Sequence, residues 1–364
     1  MTTKRAVVVG AGPAGSLAAL SLMETNLFEV TLIDRTTLPK TKPCGGGLGP
    51  SALNHLRMIG LEPKIMAEAY PIRGARFHTP KGRQVVLGGN AVAAAVLPRE
   101  RLDLVLAREA ERAGARLVEE WPVTGVLTDE QTVTGVSGPK GEMEADLVVV
   151  AAGGTTSLAG GTFSRLQCIW QQIEGANYLP GTIEMVITKK IAPWYAWLFP
   201  EGQGRANIGM CCIAGHLDRN GLQETFDQIC DEQLAPALAG TTRGPRRFMG
   251  IRTSRWPRLA NRPHLWVAGE AAALTNEATG EGIGQAMISG RLVGQAAAHW
   301  DDRGEEGARK LYERTIRRTL GPGLGSSILI EHFAASPALE ATPRLAKGPT
   351  SALLSKFVTR ALAS

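Results

Sequence analysis

The stretch Ala6-Val-Val-Val-Gly10-Ala-Gly12-Pro-Ala-Gly15 decides how the rest of the chain is read. Its apolar run predicts a buried strand that turns on glycine into a small-residue helix, Ala14 to Met23. Gly10 permits the tight turn, Gly12 leaves room for a pyrophosphate against bare backbone, and Gly15 lets the helix pack close to the strand. Pro13 and Ala14 belong to the same turn, where the helix N-terminus offers unpaired N–H groups and a partial positive charge to phosphates. A second strand, Glu29-Val-Thr-Leu-Ile33, ends in Asp34-Arg35, which puts Asp34 where a ribose-binding carboxylate belongs. Strand before, helix after and acid at the right distance select a dinucleotide site over a plain structural turn.

A chain of 364 residues has room for two domains, or three lobes. Its 44% hydrophobic and 20% charged residues are ordinary for a soluble globular protein. The net charge of +6 comes from scattered arginines with no dense basic run, which excludes nucleic acid as a favoured partner. The five cysteines (Cys44, Cys168, Cys211, Cys212 and Cys230) form no CxxC pair and no metal spacing. An odd count, with the first strand starting about four residues in and no export segment before it, predicts reduced thiols and a cytoplasmic location. No apolar run reaches the ~18–20 residues of a membrane span.

Along the chain, Leu38 to Leu48 is a loop too rich in proline and glycine for helix or strand, and its Gly45-Gly46-Gly47 frees backbone for close approach to a flat ligand. Ser51 to Gly60 reads as a helix capped by Ser51 and ended by Gly60. Short strands occupy 71–97, and Pro98-Arg99-Glu-Arg-Leu102 starts a helix through Ala113. Ala145 to Ala152 is a continuous apolar run typical of a buried parallel strand. Residues 160–255 alternate as antiparallel strands do, with one helix over Leu222–Leu234. Leu265 to Glu270 returns to a buried strand and glycine turn, and Ile283–His299 is a small-residue helix suited to packing on the sheet. The nucleotide domain is therefore discontinuous. Two helices close the chain, Glu305–Leu320 and Ser351–Ala363; the latter is amphipathic and docks on the protein's own core or on a membrane surface.

Several segments together resemble the geranylgeranyl reductase group of FAD-dependent oxidoreductases, within the p-hydroxybenzoate hydroxylase-like superfamily. Lys42-Pro-Cys44-Gly-Gly-Gly-Leu48 is similar to that group's cysteine–glycine loop beside the isoalloxazine, and Arg99-Glu-Arg-Leu-Asp103 to the helix start whose arginine touches FAD. Tyr195-Ala-Trp197-Leu-Phe199-Pro200 with Asn207-Ile-Gly209 resembles the substrate-side aromatic segment, and Gly269-Glu270 with Thr279-Gly280-Glu281-Gly282-Ile283 resembles the second flavin segment. The resemblance implies an α/β fold: a discontinuous Rossmann-like FAD domain (1–70, 98–159 and 256–325), an inserted antiparallel-sheet substrate domain (71–97 and 160–255) and C-terminal helices (326–364). It implies cofactor contacts from Gly10, Gly12, Pro13, Ala14, Gly15, Asp34, Arg35, Cys44, Gly45, Gly46, Arg99, Val123, Gly153, Gly269, Glu270, Gly280, Gly282 and Ile283, and catalytic roles for Cys44, Tyr195 and Trp197.

Two positions depart from the superfamily pattern. Ala152-Gly153 stands where Asp-Gly is usual, and Gly269-Glu270 where Gly-Asp is usual; Glu270 can still accept from a ribityl hydroxyl, whereas Ala152 has no acceptor. No second GxGxxG appears, so NAD(P)H binds transiently or another donor supplies electrons. The expected chemistry is reduction or desaturation of a C=C bond in an apolar small molecule by hydride transfer through flavin N5, with Cys44 the candidate acid and Tyr195 and Trp197 shaping an apolar tunnel. A flavin monooxygenase or halogenase-like enzyme is the alternative, with a partner protein's side chain as one such substrate. The halogenase Trp-x-Trp-x-Ile-Pro motif is incomplete, with Tyr195 and Phe199 at two of its positions.

Overall fold

Two large sheets meet at a glycine-rich loop in this computed structural model, which describes residues 3–160, 164–254, 256–257, 259, 262–277 and 279–325. β1 (Lys4–Val9) turns through Gly10 into α1 (Pro13–Met23), and β2 (Phe28–Ile33) returns parallel to β1. Beyond the loop come β3 (Gly47–Leu48), α2 (Pro50–Met58), α3 (Glu62–Met66), β4 (Tyr70–Ile72), β5 (Gly74–His78), β6 (Gln84–Gly88) and β7 (Ala94–Val96). α4 (Arg99–Arg112), β8 (Arg116–Val118), β9 (Gly125–Asp129), β10 (Thr132–Gly138), β11 (Gly141–Glu144) and β12 (Leu147–Val150) follow. β13 (Ser164–Glu174), β14 (Thr182–Val186), β15 (Ala196–Gly202) and β16 (Arg205–Ile213) precede α5 (Arg219–Glu232), α6 (Ala235–Leu238), β17 (Thr242–Arg243) and β18 (Arg247–Thr253). The described chain ends with β19 (Leu265–Val267), α7 (Ile283–Ala297) and α8 (Trp300–Gly325), the last broken at Gly304.

The apolar runs become a five-stranded parallel sheet in the order β19-β12-β1-β2-β8. All four residues of β12 are buried because helices and the β9–β11 sheet cover it, and each such Val or Leu contributes about 1.5–3 kcal/mol. The second sheet has eight strands in the order β17-β13-β16-β15-β14-β5-β6, with β18 also paired to β13. It is mixed rather than wholly antiparallel, since β14 and β5 run parallel. One face of this sheet packs under α5 through Leu198, Ile208, Phe226 and Ile229. Its other face looks toward the ends of the parallel strands.

Several local expectations shift. α2 starts at Pro50, whose fixed φ and missing N–H suit the first helical position, so Gly49 rather than Ser51 is its cap. The helix expected over 222–234 starts earlier, at Arg219, because the Asp218 carboxylate accepts from the Gly221 N–H and caps it. α7 packs its glycines on α1 rather than on the sheet. A Cβ on Gly290 would stand 2.1 Å from the Ala14 carbonyl oxygen, and one on Gly294 2.2 Å from that of Ser21. The amphipathic helix expected over Ser351–Ala363 lies outside the described residues.

The expectation of reduced thiols is overturned at one pair. Cys168 on β13 and Cys211 on β16 are direct partners in the ladder, with Cα atoms 4.3 Å apart, and form a disulfide. Sequence spacing does not signal the bond, because the pairing register brings the two residues together. Cys44, Cys212 and Cys230 remain free.

Peptide mapping without reductant is expected to recover Cys168 and Cys211 in one cross-linked species with Cys44 alkylated; full alkylation of all five cysteines would remove the disulfide from the native state. Gly294→Val is expected to lower stability by about 1–3 kcal/mol through overpacking against α1, read as a fall in melting temperature.

Candidate active site

A single cavity of about 1030 Å³ runs from the Gly10 turn to the inner face of the eight-stranded sheet. At its first end Gly10 adopts φ +105°, and a Cβ there would stand 2.6 Å from the Ala151 carbonyl oxygen, so only glycine allows the turn. The Ala11 N–H donates to Asp34 Oδ2 at 2.8 Å, locking the acid at the end of β2 beside the turn. Burial disfavours the Asp34 charge, but Lys40 and the N–H groups of Ala11 and Thr36 outweigh it and hold the carboxyl below its ordinary range. Asp34 is therefore an ionised acceptor at the place the sequence predicts.

Arg99 opens α4 and forms a buried bidentate pair with Asp103, through Nε to Oδ1 at 2.8 Å and Nη2 to Oδ2 at 2.9 Å. Its Nη2 also stands 3.6 Å from where a Cβ on Gly12 would be, so the guanidinium faces the bare glycine turn. This is a cationic wall for a pyrophosphate.

The two departures from the superfamily pattern meet in space. Glu270 follows β19, and Lys42 Nζ donates to its Oε2 at 3.1 Å while the Arg252 N–H donates to Oε1 at 3.2 Å. A Cβ on Gly154 would lie 2.2 Å from Glu270 Oε1, so the longer acid fits because glycine stands opposite it, two residues past Ala152. Burial opposes the Glu270 charge, and Lys42, with the Arg252 N–H and Arg99, prevails and lowers its pKa.

The glycine-rich loop is held from the other sheet. Asn207 Nδ2 donates to the Gly45 carbonyl at 3.0 Å, and Trp197 Nε1 donates to Asn207 Oδ1 at 2.8 Å. The Phe199 ring presses on the loop so closely that a Cβ on Gly45 would stand 2.8 Å from it. Tyr195 donates its hydroxyl proton to the Thr279 carbonyl, tying the same strand to the turn before α7. Tyr195, Trp197 and Phe199 form a row of successive edge and tilted contacts at 6.3 and 6.0 Å. Alternate residues of one strand thus clamp both loops. Within the loop, the Cys44 sulfur accepts from the Gly46 N–H at 3.4 Å.

Of the predicted residues, Gly10, Gly12, Pro13, Ala14, Asp34, Arg35, Cys44, Gly45, Gly46, Arg99, Val123, Gly153, Tyr195, Trp197, Glu270, Gly280, Gly282 and Ile283 all line the cavity. Gly15 and Gly269 do not. Gly15 seats α1 on the Gly10 carbonyl, and Gly269 lies against Ala14, so both serve packing. Lys42, Asn207, Glu281 and the Cys168–Cys211 disulfide are the residues that motif reading passed over. The first three sit inside segments that the sequence singles out, but their contacts cross between segments. Among the described residues no cluster of His, Cys, Asp and Glu could hold a metal. His78, hydrogen-bonded to Glu184 at 2.7 Å, lies outside the cavity wall.

Bare glycine turn, ionised ribose acceptor, buried arginine and flat glycine loop fit FAD on their own geometry. Residues 3–170 match the FAD binding domain family, and residues 165–240 match the geranylgeranyl reductase catalytic domain. The digeranylgeranylglycerophospholipid reductase of Methanocella arvoryzae is 29% identical over 345 residues, covering 89% of this chain and 86% of the relative. That of Methanosarcina acetivorans is 27% identical over 359 residues, covering 90% and 83%. The solved geranylgeranyl bacteriochlorophyll reductase-like protein of Thermoplasma acidophilum shares the fold at a TM-score of 0.84 and 21% identity, over 95% of this chain and 91% of that one. A flavin-dependent brominase shares it at 0.81 and 19% identity, over 100% and 94%.

Fold and cavity define an FAD-dependent oxidoreductase. Within that class, the chain is similar in sequence to geranylgeranyl reductases.

Asn207→Ala is expected to release the Gly45 carbonyl and the Trp197 N–H together. The loss of hydrogen bonds worth about 1 kcal/mol each predicts FAD binding weakened by about tenfold, measured by flavin fluorescence titration. Unchanged affinity would show that the clamp does not shape the cofactor site.

Proposed function

We propose that this chain reduces a C=C bond in an apolar, isoprenoid-like small molecule. The observation that carries the reading is the continuity of the cavity. The polar cradle for FAD opens without a break onto a wall of Ile183, Ala75, Leu87, Trp170 and Met249. A chamber lined this way favours an extended hydrocarbon over a polar aromatic ring. The relatives named as digeranylgeranylglycerophospholipid reductases support the same substrate class.

FAD, when bound, supplies the hydride equivalent. Gly12, Asp34, Arg99 and Glu270 hold it, and Tyr195, Trp197 and Phe199 exclude water where the two loops meet. The Cys44 sulfur accepts from the Gly46 N–H, which fixes the thiol beside the cavity. Electrons enter from NAD(P)H bound transiently or from another small donor. No described helix is long and apolar enough to cross a bilayer.

The test is anaerobic. The flavin is reduced with dithionite and mixed with geranylgeraniol in detergent micelles; reoxidation dependent on the alkene, with a saturated bond in the product, is expected. Oxygen-dependent hydroxylation of the probe without alkene reduction would overturn the reading. Cys44→Ser is expected to keep FAD and lose turnover by about 10–100-fold, and full turnover would make Cys44 a structural residue.

A further inference from the structure

The turn before α7 carries a carboxyl group whose situation is unlike that of the other three acids in the cavity. Asp34 and Glu270 each hold a lysine and backbone donors, and Asp103 holds the Arg99 guanidinium. Glu281 has none of these. Its Oε1 is buried without any hydrogen-bond partner, while the residue itself lines the cavity. That oxygen lies wedged between two helix starts. The point where a Cβ on Gly284 would be is 3.1 Å from Glu281 Oε1, 3.2 Å from the Ala52 nitrogen and 3.4 Å from the Ser51 hydroxyl. No donor satisfies it there. An ionised carboxylate would leave a full acceptor charge desolvated, whereas a neutral acid leaves only a weak one, so the geometry favours the protonated form.

The groups around it agree. Burial pushes the Glu281 carboxyl up to about 7. From the residue before β15, Tyr195 is the titratable neighbour, and burial pushes its phenol upward, so it gives up no proton. Its hydroxyl is in any case spent on the Thr279 carbonyl, two residues before Glu281. From α2, the facing groups are the Ser51 hydroxyl and the Ala52 N–H, neither of them charged.

We propose that Glu281 is the catalytic acid of the reduction, a neutral carboxyl that protonates the second carbon of the substrate double bond. This role rests on the reductase reading above. With bound reduced FAD supplying a hydride equivalent to one alkene carbon, the π pair would form a C–H bond at the other with the Glu281 proton as the carboxyl O–H bond breaks. The alkene would gain the two electrons that the reduced cofactor supplies, and the carboxylate would regain its proton from water. Catalysis of this kind contributes on the order of 10²–10⁴-fold.

Three readouts test it on the full-length protein, with Glu281→Gln as the isosteric variant lacking a transferable proton. Infrared difference spectra of the FAD-free protein at pH 6 are expected to show a carboxylic-acid C=O band in wild type that Glu281→Gln removes; identical spectra would overturn the proposal, whatever the reaction. FAD affinity is expected to stay within about threefold, and a larger loss would make Glu281 a cofactor-binding or structural residue instead. With dithionite-reduced flavin and geranylgeraniol, reoxidation by Glu281→Gln is expected to slow at least about 100-fold, with Glu281→Asp in between. Wild-type reoxidation matched by Glu281→Gln would overturn the acid role alone, and absence of alkene-dependent reoxidation in wild type would overturn the reductase reading with it.

Discussion

Asn207 donating to the Gly45 carbonyl ties the eight-stranded sheet to the glycine-rich loop that lines the cavity. Its other contacts make it a rigid bracket, since its Oδ1 holds the Trp197 indole and its Nδ2 also reaches Glu201. Trp197 and Phe199 can lie flat along the glycine loop only because that loop presents no Cβ atoms toward them. The bracket is buried, so each of its polar groups must be satisfied by another of them, which fixes one geometry. The shape of the cofactor end therefore depends on a residue that belongs to the other sheet.

Electrostatics divides Asp34, Glu270 and Glu281, three of the four cavity acids, by environment rather than by type. Asp34 and Glu270 are buried yet ionised because a lysine and backbone N–H groups face each of them. Glu281 is buried with no such partner, and the same desolvation that the other two overcome keeps it neutral into the physiological range. Two acids that hold a cofactor and one that carries a proton can thus share a single cavity. The longer Glu270, matched by the bare Gly154 opposite, shows how a one-methylene change is absorbed without losing the charge.

The apolar end of the cavity owes its form to strand register. Trp170, Tyr195, Trp197, Cys168 and Cys211 share one face because β13, β16 and β15 pair in antiparallel register, while Leu198 and Ile208 turn to the helix on the far side. A slip of one residue would exchange those faces, replacing the chamber by the α5-facing core. The disulfide pins that register at its centre.

The sequence alone determined the first sheet and the cofactor. A buried strand, a glycine turn, a helix and an acid are all local, and the physics of each, apolar burial, positive φ and helix-end charge, acts within about 35 residues. It also marked the aromatic and second flavin segments, since both carry unusual runs of aromatic or glycine residues. Only the tertiary structure decided that Asn207 braces Gly45, that Lys42 neutralises Glu270, that Glu281 has no donor and that Cys168 meets Cys211. Each of these depends on which groups face each other across sheets, helices or loops distant in the chain, and pairing register and desolvation leave no trace in the order of residues.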